Sequence, residues 1–143
     1  MNRNLKVSKS IEINTEPNVV WDVLTNPEKI KIFLFRTETV TDWKIGSSII
    51  FQGEYNGQKY KDKGIVLENV KNETLKYSYW SGFSELEDKP ENYSIITYII
   101  ERLGKNKVKF TWTQEGFSSK KGQQHTENSL YGMLEQIKKI AEQ

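Results

Sequence analysis

The chain has 143 residues, with 21 Lys and Arg against 19 Asp and Glu, a net charge of +2, one histidine and no cysteine. That length suits one domain, able to bury roughly 70% of the surface its unfolded chain exposes, so it needs neither disulfide nor metal to fold. The lack of cysteine excludes a disulfide framework and thiolate chemistry, and the balanced charge gives no electrostatic reason to expect nucleic acid or an anionic membrane surface as partner.

From the N-terminus, Met1 to Lys9 carries charge with no apolar stretch behind it, unlike a secretory signal. The longest strongly apolar run, Ile95 to Ile100, is far too short to cross a bilayer. A cytoplasmic protein without membrane insertion is expected, and Asn72-Glu-Thr74 and Asn92-Tyr-Ser94 are then chance glycosylation matches. Val7 to Ile13 alternates as an opening strand. Asn14-Thr15-Glu16-Pro17 supplies cap candidates and a first-turn proline for a helix carrying Val19, Val20, Val23 and Leu24. Asn26-Pro27 must interrupt that helix, and a short second one runs from Glu28 to Phe33.

From Thr37 the signals change to strand and turn. Glu38 to Trp43 and Ile49 to Tyr55 are separated by Lys44-Ile45-Gly46-Ser47. Asn56-Gly57 then marks a hairpin, because both turn positions need positive φ. Tyr60 to Val70, Thr74 to Trp80, Tyr93 to Leu103 and Lys107 to Phe117 read as four more strands. Between Trp80 and Tyr93 lies a longer polar loop. Lys105, Lys107 and Lys109 fall on one solvated face of the last strand, opposite Val108, Phe110 and Trp112. After the caps Ser118 and Ser119 the period switches: Leu130, Met133, Leu134, Ile137, Ile140 and Ala141 recur at three and four. The expected fold is α+β, in the order strand, two helices, six strands, one helix. A curved antiparallel sheet wraps around the long C-terminal helix, all in one domain spanning residues 1–143.

Several phrases in this order resemble a known family: Val20-Trp21-Asp-Val-Leu-Thr25-Asn-Pro27-Glu28, Gly64-Ile-Val-Leu-Glu68, Leu75-Lys-Tyr77-Ser-Tyr79-Trp80, and Glu115-Gly116-Phe117 before the last helix. They resemble the helix-grip superfamily of START-type lipid-binding proteins, polyketide cyclases and birch-pollen-allergen relatives (SRPBCC). Within it, the chain is similar to bacterial relatives of the C-terminal domain of the Hsp-90 ATPase activator. Phe33 and Leu130 stand where many relatives place tryptophan, which bears on the shape of the interior more than on the fold. The superfamily carries no universal catalytic set, so no active site is implied residue by residue.

The chemistry that can be read from residue types is sparse. One histidine and no cysteine cannot build a metal site of the usual kind, and no cofactor is expected. His125 has no nucleophile-elbow motif beside it and reads as an exposed helix residue without catalytic work. No glycine-rich loop carries the Lys and Ser or Thr that phosphate binding needs. Glu85, Glu87 and Asp88 read as a solvated turn. Glu68 and Glu115 lie in otherwise apolar strands, and either could point inward as a perturbed carboxylate. Aromatic residues are the remaining signal. Leu75, Tyr77 and Tyr79 alternate, as do Val108, Phe110 and Trp112; the resemblance favours Ile96, Tyr98 and Ile100 facing inward.

Together with Leu130 and Leu134 on the helix, Tyr77, Tyr79, Tyr98, Phe110 and Trp112 would line an apolar pocket with a few polar handles. Three readings follow. The first is binding of a hydrophobic small molecule such as a lipid, polyketide or flavonoid-like compound between sheet and helix. The second is a protein-interaction module acting on a chaperone or other protein. The third is a cyclase or hydrolase that uses the cavity. An open pocket favours the first, a filled core with an exposed apolar patch the second, and Glu68 or Glu115 buried beside tyrosines the third.

Overall fold

The computed structural model describes residues 1–143. The order is β1 (Asn2–Ile13), α1 (Pro17–Thr25), α2 (Pro27–Phe33), β2 (Glu38–Val40), β3 (Ser48–Tyr55), β4 (Gln58–Val70), β5 (Thr74–Tyr79), β6 (Ser94–Gly104), β7 (Lys107–Phe117) and α3 (Lys120–Ala141). The strands form one antiparallel sheet in the order β1-β7-β6-β5-β4-β3-β2, so the first strand closes beside the last. This is the α+β sheet and covering helix expected from the periodicities, and the helix-grip architecture that the family resemblance implies.

Local chemistry explains the breaks. Asn26 is extended (φ −83°, ψ 116°) as a residue before proline should be, and its side chain accepts the Glu28 N–H, capping α2. Asn56 and Gly57 both have positive φ (50° and 78°), as their hairpin requires. Ser119 caps α3 by accepting the Gly122 N–H.

One strand ends earlier than its sequence suggests. Glu38 to Trp43 was expected to be extended throughout, but pairing stops at Val40. The Thr41 and Asp42 side chains accept the backbone N–H groups of Trp43 and Lys44, turning the chain, and Trp43 takes a left-handed φ of 62°. Its indole donates to the Thr25 carbonyl, while its own carbonyl accepts from Asn69, so this tryptophan ties α1 to β4. At the other edge β1 begins at Asn2, five residues before the expected start, because Asn2 already pairs with Phe117.

The core is one apolar cluster between the concave face of the sheet and the helices. α3 is amphipathic only in its second half, where Leu130, Leu134, Ile137 and Ala141 are buried; Lys120 to Ser129 contains no large apolar side chain. Its flanks also protect the free edge of β1. Gln123 donates to the Lys6 carbonyl (3.1 Å), Lys138 to the Glu12 carbonyl (2.8 Å), and Glu142 accepts the Asn14 N–H (2.8 Å). Edge groups satisfied this way cannot recruit a further strand.

Candidate aromatic binding site

Period two puts the expected aromatic residues on one face, and the register brings them together. Tyr98 of β6 stands opposite Leu75 of β5 and Trp112 of β7; Tyr77 of β5 stands opposite Val66 and Ile96; Phe110 lies between Ile100 and Ile11. Leu130 and Leu134 of α3 are buried in the same cluster. The rings are in contact, with centroids 4.7 Å apart for Tyr98 and Trp112, 5.5 Å for Tyr77 and Tyr98, and 5.7 Å for Tyr98 and Phe110. Phe51 of β3 continues the row, 5.8 Å from Tyr77 and 5.7 Å from Tyr79. Edge-to-face and tilted contacts of this kind each add about 0.5–1.5 kcal/mol beyond area burial.

Polar atoms are few in this interior, and their bonding does not close. The Tyr77 and Tyr98 hydroxyls are 2.7 Å apart and share one hydrogen bond. Two hydroxyls carry two protons and one bond uses one, so a second O–H donor is left over. Beside it the Trp112 indole N–H is buried and has no acceptor. Burial pushes the Tyr77, Tyr79 and Tyr98 hydroxyls above the ordinary tyrosine range, so all three stay protonated at neutral pH.

The inward carboxylate is neither of those considered from sequence. Glu68 is exposed, and Glu115 is half-exposed and paired with Lys6 at 3.3 Å. Asp62 of β4 is buried instead, only 6% exposed, opposite Phe51. One of its oxygens accepts from the Tyr79 hydroxyl, and the other, Oδ1, is buried without a partner. Burial raises its pKa above the ordinary aspartate value, against the lowering effect of the Tyr79 hydrogen bond. Sequence reasoning passed over Asp62 and Phe51, although the signal is period two: Asp62, Gly64 and Val66 share a face, as do Ile49 and Phe51.

His125 lies outside this interior. It is exposed on α3, where its carbonyl accepts from Ser129. A separate open groove of about 900 Å³ runs between α3 and β1, lined by charged side chains including Glu12, Lys109, Glu135 and Lys139; none of the aromatic rings above lines it. No helix is long and apolar enough to cross a membrane.

Comparison with known proteins agrees with this fold. ChR145 from Cytophaga hutchinsonii is 38% identical, superposes with a TM-score of 0.82, and the match covers 97% of this chain and 94% of that one. The Aha1 dimer from Colwellia psychrerythraea (16% identical, TM-score 0.74, 96% of each chain) shares the fold. So does PFC0360w, an HSP90 activator from Plasmodium falciparum (17% identical, TM-score 0.73, 95% of each chain). No curated protein matches. Residues 14–142 fit the profile described as activator of Hsp90 ATPase homolog 1-like protein. By that match, and by its identity to the Cytophaga protein, the chain belongs to the activator of Hsp90 ATPase homolog 1-like family.

Proposed function

We propose that the protein binds a mostly apolar small molecule between the concave sheet face and α3, against Tyr77, Tyr79, Tyr98, Phe110, Trp112, Leu130 and Leu134. The observation that carries this reading is the buried indole N–H of Trp112, which has no acceptor although it lies beside a tyrosine pair with a proton to spare. Buried donors in folded proteins nearly always have partners, because an unmet one costs about 1–3 kcal/mol. A ligand oxygen placed between Trp112 and Tyr98 would satisfy both.

The rings touch one another, and Tyr77, Tyr98 and Trp112 are at most 5% exposed, so the open pocket expected from the sequence is closed. That closure counts toward the protein-interaction reading, and a ligand has to part the rings. The route is the first half of α3, where Gln123, Thr126 and Glu127 are half-buried polar residues and not tightly packed apolar ones. Burying 300 Å² of ligand apolar surface would contribute about 7 kcal/mol before the costs of association. Titrating fatty acids, flavonoids and aromatic polyketides while following tryptophan emission tests the reading, with Trp112→Phe as control. Saturable quenching that vanishes in the variant supports it; no response up to a millimolar rejects it.

A second reading is favoured by a different observation. Ile32 and Phe35, at the end of α2, are 59% and 81% exposed, and Phe35 is held in a left-handed conformation (φ 50°). Apolar side chains held out in this way suit a protein partner, and the Plasmodium relative is described as an HSP90 activator. Under this reading the chain stimulates the ATPase of an Hsp90 from its own cell, and Phe35→Ser abolishes the stimulation.

A further inference from the structure

We infer that the ligand presents a hydrogen-bond donor, a hydroxyl or an amine, to Asp62, and that the site discriminates against carboxylic acids. The inference rests on the small-molecule reading above and narrows its chemical class. Asp62 is 6% exposed, and its Oδ1 is buried without a hydrogen-bond partner, while the Ser81 hydroxyl and the Gly82 N–H lie near enough to the carboxyl to pull its pKa down against burial. Its other oxygen is held by the Tyr79 hydroxyl, which fixes the carboxyl in place and directs the free oxygen. Tyr79 in turn packs on Phe51, and Phe51 on Tyr77, so Asp62 stands at one end of a continuous aromatic row.

No cation of the protein offsets this carboxylate. Its neighbours Lys61 and Lys63 alternate to the opposite face of β4, and Lys63 is engaged by Asp88 on the outside. Lys9, on the concave face of β1, is paired with Glu127 at 2.6 Å. Thr39, the inward residue on the far side of Phe51, also has a buried hydroxyl oxygen without a partner. Asp62 Oδ1 is thus an acceptor in want of a donor and the Thr39 hydroxyl can serve as either, whereas the spare groups at the Trp112 end are donors. A buried acceptor left unmet disfavours the occupied site, and a second carboxylate beside it would add repulsion in a poorly screened interior. An amine would supply a counter-charge and an alcohol a neutral donor; a carboxylate supplies neither.

The test compares 4-phenylbutylamine, 4-phenylbutanol and 4-phenylbutyrate, which share an apolar body and differ in head group. Binding is followed by calorimetry at pH 8 and by the indole N–H resonance of Trp112. The amine and the alcohol are expected to bind at least tenfold more tightly than the acid. Asp62→Asn should bring the three to within about threefold, and Tyr79→Phe, which keeps the carboxylate, should preserve the order. In wild-type protein the ¹³C signal of the Asp62 carboxyl should move on saturation with the alcohol, a readout that needs no variant. Equal binding of acid and alcohol, or an unchanged order in a folded Asp62→Asn protein, overturns the inference while leaving the small-molecule reading intact. No binding of any of the three at millimolar concentration overturns both.

Discussion

Single residues decide where polarity enters this interior, and Asp62 is the clearest case. Burial holds its folded pKa above the ordinary value, so ionising it is harder in the folded chain than in the unfolded one. The sign follows: the folded state gives up this proton less readily, so the contribution of Asp62 to stability falls as pH rises through the interval above the ordinary value. Asp62→Asn keeps an acceptor for Tyr79 and cannot ionise. Its stability relative to wild type should therefore increase from pH 4 to pH 8, as read from urea midpoints at both. A difference that is flat or reversed would mean that Asp62 is solvated. Gly64 is decisive for a steric reason. A Cβ there would lie 1.9 Å from the Ser78 carbonyl oxygen, far inside contact distance with backbone that cannot move aside. Gly64→Ala should cost at least 2 kcal/mol in denaturant titration, a large effect for adding one methyl group. His125, exposed and without a partner motif, is expected to tolerate alanine with a change below about 0.5 kcal/mol.

At the scale of elements, α3 does two jobs with two halves. Leu134 is fully buried within the apolar half, so Leu134→Ala should cost about 2–5 kcal/mol, and a loss below half a kilocalorie per mole would show that the helix is not the cover. Most elements were legible because their period is their signature. The 3-4 spacing of Leu130, Leu134 and Ile137 can only be a one-sided helix, and Val108, Phe110 and Trp112 can only share a strand face. What escaped had other causes. β2 stops at Val40 because side chains of Thr41 and Asp42 outcompete the sheet for nearby N–H groups, a local hydrogen-bond choice that hydrophobic periodicity does not register. β1 starts at Asn2 because β7 is there to pair with it, and polar Asn2 to Lys6 carry no pattern that says so. Asp62 was hidden inside Gln58 to Lys63, a stretch whose polarity reads as solvated unless its register is carried back from Gly64 and Val66.

For the whole molecule, the sheet and α3 enclose an interior that is aromatic, closed by ring contacts, and left with unmatched donors near Trp112, an unmatched acceptor on Asp62 and an unpartnered hydroxyl on Thr39. A fold optimised for stability alone would fill those positions with apolar side chains, since an unmet buried polar group is a standing cost. The central claim is that a small molecule meets them. Native mass spectrometry of freshly purified protein tests it most directly. The account predicts a population heavier than the bare chain by a small-molecule mass that disappears on denaturation and falls sharply in Trp112→Phe. A bare chain mass alone, persisting after incubation with the alcohol and amine probes at millimolar concentration, would contradict it.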